Sequence, residues 1–591
     1  MSNSPTRVAL LAGTVLVALA ALLTVPPAIA DVGSTDTWTC TDRNGSWSDA
    51  SCWDLGAPPN DGDSVVIDAD TPITEVPLIT LDDFTYAGGD HAHLDSADGV
   101  LGGITVTGQL RWSGGALNMP LTIGPGATAD LTAGTHKSVG GDLTVEGTLR
   151  LDAIRGPDAD GGLAIEIPKL GTTGYSTLHV TSSGSLVSHG DSQITGAACC
   201  SNPHPIALRN DGTISVPSGT LDLRALLLDQ AHAVAVDGGA SLEVRDGVVR
   251  LRAGSTYDGA GTLALDHDAT PSPDPDPDVN QGAVLLDGTV SLRHGFAVVA
   301  RDRTALTGVG GFAGTGSVRL DDAVVYGTIH TGPRVALEVT GAESSHVGNW
   351  NGRSGYVGRL SIGGPAIVRA GSELDVDAGG ILTVAGGGRL SVPVGARLSS
   401  AGGYVMKAHS ALRVGLRGAS LGSVVLDGTA RLAGTIQTVG SGPHPRGRHL
   451  TVIRANALTG RFGCARTRGW LPTYSRGRVV LAGLGTATPS LCGHSVPAKT
   501  RLHKRIGRKA VGFKVPHGNA RYVLLDVTAH ASRTTKVAIR ARHGGHVVLK
   551  THGHKTLHRY VVVRVGSSPR FTARAGHRRT RIRVRYLSYY R

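Results

Sequence analysis

The chain has 591 residues, a net charge of +12, 84 Gly and only 6 Phe and 6 Trp, which excludes a string of ordinary globular domains each built on an aromatic-rich core. Its apolar content is carried by Val, Leu, Ile and Ala in short alternating runs, the pattern of strands, and helical periodicity is nearly absent beyond the first thirty residues.

In chain order, Arg7 is followed by the apolar run from Val8 to Val25 and by the small-residue ending Ala28-Ile29-Ala30. This reads as a secretory signal peptide over residues 1–30, cleaved after Ala30. A membrane anchor is the competing reading, and the Pro26-Pro27 flank with the A-x-A ending favours cleavage. The mature chain is then expected to be extracellular, secreted or associated with the cell surface. Six cysteines fall in three local pairs, Cys40 with Cys52, Cys199 with Cys200, and Cys464 with Cys492. In an oxidising compartment the outer pairs read as disulfides that tie down the two ends, although six cysteines permit many pairings. The vicinal pair stays open as a strained ring, two free thiols or half of another connectivity.

Residues 31–62 are expected to form a disulfide-tied N-terminal cap. From 63 to 485 a Gly or Asn-Asp-Gly turn alternates with a short strand, as in Gly140-Gly141-Asp142-Leu143-Thr144-Val145-Glu146-Gly147-Thr148-Leu149-Arg150-Leu151 and Asn210-Asp211-Gly212-Thr213-Ile214-Ser215-Val216. A coil of roughly 20 to 25 residues cannot bury its own apolar face and must stack on its neighbours. The repeat therefore predicts an all-β fold, a right-handed parallel β-helix or solenoid of about 19 coils and roughly 90 Å. An array of β-sandwiches would instead need an aromatic plug per domain. Residues 271–278, Pro-Ser-Pro-Asp-Pro-Asp-Pro-Asp, break the repeat and read as a surface loop. Asp274, Asp276 and Asp278 lack the glycine and distal glutamate that a calcium loop would place beside them.

The segment Asn44-Gly45-Ser46-Trp47 with Ser51-Cys52-Trp53, then Pro58-Pro59-Asn60-Asp61-Gly62-Asp63 and the strand Ser64-Val65-Val66-Ile67, resembles the opening module of bacterial β-helix surface proteins and autotransporter-like passengers. The stretch from Val424 to Ile436, followed by Leu450-Thr451-Val452-Ile453 and Leu458-Thr459-Gly460-Arg461-Phe462, resembles their closing coils. That resemblance implies architecture and not chemistry. An autotransporter would continue into a membrane barrel, and only about 100 residues follow here, too few for a barrel of the usual size.

Charge divides the chain sharply. Residues 1–442 hold 26 Lys and Arg against 45 Asp and Glu, whereas residues 495–591 hold 24 Lys and Arg against Asp526 alone. This basic C-terminal part keeps strand alternation and is expected to form a small basic β-sandwich-like domain. Val523-Leu524-Leu525-Asp526-Val527-Thr528-Ala529, Tyr560-Val561-Val562-Val563 and the ending Tyr586-Leu587-Ser588-Tyr589-Tyr590 resemble a small β-domain common in secreted proteins of high-GC Gram-positive bacteria. Asp526, Arg585 and Ser588 depart from that family's Asn, Asp and Gly, so ligand chemistry resting on the lost acid does not transfer. In the last strand Arg581, Arg583 and Arg585 are expected to form one face and Ile582, Val584 and Tyr586 the other. The arginine row is the candidate polyanion-binding site, with a cell-wall polyanion or acidic polysaccharide as partner and no specific nucleic acid. Self-association of basic tip with acidic rod is the competing account. Ten histidines from His494 to His577 should add positive charge as pH falls.

No convincing active site, cofactor or metal site emerges from the sequence. Asp82-Asp83 and Asp321-Asp322 are adjacent acid pairs, and adjacent strand residues face opposite ways. Asp90, His91, His93 and Asp95 read as a polar turn before a metal set. Gly418-Ala419-Ser420-Leu421-Gly422 matches G-x-S-x-G, but a strand and not a helix is expected after it. The reading is an extracellular structural or adhesive protein, more a scaffold than an enzyme. The alternative is a carbohydrate-active enzyme, a polysaccharide lyase or glycosidase with a groove along the rod. The two separate on whether the rod carries a groove in which two carboxylates, or a carboxylate and an Arg or Lys, converge.

Overall fold

The protein is seen here as a computed structural model that describes residues 33–590 except 42, 90, 97–101, 133–136, 155–162, 166–176, 197–205, 225, 246, 267–282, 349–356, 419, 441–447, 468, 476, 484–490, 517–519, 521 and 578. The vicinal cysteines and the 271–278 loop lie outside the described residues. Among those described, the only helix is a single 3-10 turn, Ala50–Cys52.

Each coil of the rod contributes three strands, and each strand pairs in parallel with the equivalent strand one coil on. The rod is therefore a parallel β-helix with three sheet faces. One face runs through 18 strands from Thr35–Thr37 to His449–Gly460, close to the coil number expected from the repeat. Alternation explains the core. On this face Leu149, Leu186, Ile214, Val234 and Tyr257 stand in register on successive coils, all essentially without exposure. On another, Leu221, Leu242, Leu263, Val298 and Val318 do the same. In each strand alternate residues fill one continuous core while those between them stay outside.

The corners need small residues because backbones of adjacent coils nearly touch there. A Cβ at Gly147 would lie 2.3 Å from the Ala127 carbonyl oxygen, and Gly126 turns the corner below it at φ +81°.

Both ends of the core are sealed. At the N-terminus Trp53 lies edge-on to Trp38 and Trp47 at 5.0 and 4.9 Å, beside the Cys40–Cys52 disulfide. At the far end parallel pairing gives way to antiparallel. The hairpin of Trp470–Ser475 and Arg478–Gly483 folds back on His449–Gly460, and Trp470 is fully buried. The Cys464–Cys492 disulfide then joins the last rod strand, Cys464–Arg466, to the strand Leu491–Ile506 that enters the tip.

The tip is a β-sandwich with its own core. One sheet holds Leu491–Ile506, Thr580–Tyr590, Tyr522–His530 and Leu557–Arg564. The other holds Val511–Lys514, Arg570–Ala575, Lys536–Ala541 and His546–Lys550. Val523, Leu525, Ile539, Phe571 and Ile582 are among the residues packed between them.

Candidate functional site

A depression of about 780 Å³ lies on the outer face of the sheet that holds Gln109–Asn118, Thr128–Thr132, Thr148–Asp152 and Ser185–His189. Its residues are the outward half of the same alternation that builds the core. Leu131 and Leu151 point in, so Asp130, Arg150 and Asp152 point out. Register does the rest. Arg111, Asp130 and Arg150 occupy equivalent positions on three successive coils, and Asp152 stands opposite His189 on a fourth.

The groups are fixed to one another. Arg111 donates to Gln109, Gln109 Nε2 donates to Asp130 Oδ2 at 2.9 Å, and Arg150 Nη1 sits 3.6 Å from Asp130 Oδ1. Asp130 and Asp152 are offset by one coil and two residues, which separates their Cα atoms by roughly 8 Å. The rod thus has a groove with two carboxylates and two guanidinium groups on one face.

The acid pairs singled out in the sequence have other tasks. Asp83 accepts the Gln109 backbone N–H at 2.6 Å and so pins the next coil. Asp322 sits at φ +56° against the turn at Gly341, where burial and then the neighbouring Asp321 raise its pKa. Asp90 lies outside the described residues. His93 contacts the His91 carbonyl at 3.2 Å and Asp95 at 3.3 Å, both local. Ser420 lies in a two-residue strand that turns back on Arg417 and leads into the strand Ser423–Leu432, with none of the helix a nucleophile elbow needs.

One metal-like group that the sequence reading passed over is formed by His346, Asp375 and Asp377, whose ligand atoms lie within 4.8 Å of one another. His346 Nδ1 is 3.3 Å from Asp377 Oδ1, and Ser399 donates to Asp375 at 2.6 Å. Burial opposes charge on His346, but Asp377, Asp375 and Glu373 outweigh it and raise its pKa. These contacts tie adjacent coils together.

No family model matches the chain, and no curated protein matches it. Solved structures that align with it include two phage tailspike proteins. One is the enzymatically active domain of bacteriophage CBA120 tailspike protein 4, 12% identical over 76% of this chain and 64% of that one, with a TM-score of 0.21. The other is tailspike protein gp49 from Acinetobacter baumannii bacteriophage Fri1, a capsular polysaccharide depolymerase, 10% identical over 83% of this chain and 79% of that one, with a TM-score of 0.16. The chain spans under two thirds of the length of the first. At these scores neither carries an argument about this protein, whose fold and groove rest on its own strand pairing and side chains.

In the tip, Arg581 and Arg583 are exposed while Ile582 and Val584 are buried, as the alternation requires. Arg585 departs from the expected row. Strand pairing sets it opposite Asp526, its Nη1 lies 3.8 Å from the Asp526 carboxylate, and its Nε is buried. Asp526 also receives His558 Nε2 at 2.5 Å. Arg585 is therefore an internal partner of the tip's one acid, and the open part of the row is Arg581 and Arg583.

Proposed function

We propose that the protein is an exported carbohydrate-active rod whose groove binds a polysaccharide and hydrolyses it between Asp130 and Asp152. The observation that supports this reading is the groove itself, where side chains from successive coils form a periodic surface suited to a periodic chain. Export is supported by the leader-like sequence and by two disulfides, which persist in oxidising compartments.

The chemistry follows from the spacing. Carboxyl groups about 6.5 to 9.5 Å apart leave room for a water beside the sugar and give inversion at the anomeric carbon, and backbones roughly 8 Å apart with both side chains outward are compatible with that spacing. Asp130, oriented by Gln109 and Arg150, takes the proton of that water as its oxygen bonds to the anomeric carbon. Asp152 gives a proton to the departing glycosidic oxygen as the old bond breaks. Arg111 and Arg150 favour an anionic sugar chain, since their forks match carboxylate or phosphate oxygens.

The test is to incubate the purified protein with neutral and acidic polysaccharides and follow reducing ends. Asp130→Asn and Asp152→Asn should each slow release about 100-fold or more with unchanged melting, and the first product should have inverted anomeric configuration. If no polysaccharide is shortened, the structural or adhesive reading of the rod stands instead; if both variants remain fully active, Asp130 and Asp152 are not the hydrolytic pair.

A further inference from the structure

Like charges placed side by side across a sheet oppose its folding, yet the outer face of the tip's second sheet is built that way. Lys514 stands opposite Arg570 in register. Arg542 reaches the other side of Arg570, its backbone N–H donating to the Arg570 carbonyl at 2.9 Å. Arg540 lies opposite Thr572, one alternation along. All four cationic side chains are exposed. They line a hollow of about 660 Å³ on that outer face, over strands whose Phe513 and Phe571 rings stack 5.5 Å apart in the core beneath.

On the rod much of such charge is paired with acid. Along the rod Arg209, Arg245 and Arg250 meet Asp211, Glu243 and Asp287 at 2.7, 2.6 and 2.6 Å. In the tip Asp526 is the one acidic side chain from 495 to 591. It belongs to the opposite sheet, where Arg585 and His558 hold it. The four cations of the hollow therefore have no acidic side chain of their own domain to meet.

We propose that this hollow binds clustered phosphate, either an oligophosphate or closely spaced phosphate groups carried on a polymer. Lys514, Arg570 and Arg542 form a row spanning roughly 10 Å across three strands. A single carboxylate brings one charge to one end of that row, whereas a phosphate carries about −1.5 to −2 at neutral pH. Two linked phosphates reach all three cations, and the Arg forks can each grip two oxygens. Gly512, beside Thr572, keeps the hollow open where a side chain would fill it. This site is independent of the rod groove and lies on the sheet opposite Arg581 and Arg583.

Calorimetric titration of the full-length protein with inorganic tripolyphosphate at about 50 mM salt tests the proposal. Arg570→Ser and Arg542→Ser should each weaken binding about 10-fold or more, while the double variant Arg581→Ser/Arg583→Ser should bind within about 2-fold of the parent, with binding falling steeply at higher salt. Arg570→Ser should melt no lower than the parent, because it removes a repulsion, and this keeps loss of binding distinct from loss of fold. The proposal is overturned if tripolyphosphate produces no heat, if a carboxylate polymer such as polygalacturonate binds equally well, or if the Arg581/Arg583 variant loses as much affinity as Arg570→Ser.

Discussion

Asp36 shows how a single carboxyl is used at the first coil. It is buried, and burial together with a hydrogen bond to Asp54 raises its pKa to about 6. Asp54 is held the other way, chiefly by the Thr37 backbone N–H at 2.8 Å, which lowers its pKa. One carboxyl thus keeps a proton that the other accepts. A carboxyl raised on folding stabilises below its unfolded pKa and loses that contribution as pH rises through its folded value. Between about pH 5 and pH 7 Asp54 is already ionised, so the N-terminal cap should loosen as pH rises across that window. Asp36→Asn, which cannot ionise, should remove the dependence, as read from hydrogen exchange at residues 35–67 at both pH values. An unchanged slope in the variant would assign the effect to another group. The sequence did not announce Asp36, because its proton depends on Asp54 and on burial under a cap whose shape only packing defines. Asp130 and Asp152 were hidden for a similar reason. Adjacency in sequence singles out neighbouring acids, while the groove joins acids one coil and two residues apart, a relation that exists only once the register is known.

At the level of strands and coils the sequence was far more transparent, since inward Leu and Val alternate with outward polar residues in nearly every rung and a one-residue slip would expose them all. The Cys40–Cys52 and Cys464–Cys492 bonds expected from local spacing are both present. In the tip the strands Lys536–Ala541, Arg570–Ala575 and Thr580–Tyr590 carry the same alternation of inward apolar and outward polar residues. What alternation could not supply was the partner of each strand. Lys514 meets Arg570, and Asp526 meets Arg585, only through long-range antiparallel pairing, so the hollow and the Arg585 pair were both invisible. The closure of the rod has its own consequence. Stacked coils contact only their neighbours, and an end coil lacks support on one side. Each disulfide closes a short loop, its cysteines 12 and 28 positions apart in sequence, and should contribute about 2 to 4 kcal/mol. Reductant should therefore speed hydrogen exchange at residues 35–67 and 449–506 before it does so at 213–265. Equal loosening along the whole rod would show that the bonds do not act as end clamps.

Over the whole molecule there are two separate cores. The rod's apolar cluster runs from Trp38 to Leu481, and the tip's is a separate cluster of residues from Leu502 to Tyr586. Covalently and by strand pairing they are joined through Cys464–Arg466 and Leu491–Ile506. Charge separates them further, because the tip gathers 24 Lys and Arg against one Asp while the rod is acidic. Self-repulsion of this kind destabilises a compact domain, and salt screens it, with a Debye length of about 10 Å at 0.1 M and about 3 Å at 1 M. Thermal unfolding should accordingly show two transitions, with the tip's rising as salt is added and the rod's moving less. Tripolyphosphate at low salt should raise the tip's transition selectively, since a ligand that binds only the folded state stabilises it by RT ln(1 + [L]/Kd). Calorimetric scans across a salt series, with fluorescence from the six Trp, all of which precede residue 471, would separate the components. The rod transition should be visible in fluorescence and the tip transition chiefly in heat. A single transition seen by both probes at every salt concentration would mean that the junction couples the cores and that the tip's charge is not what limits its stability.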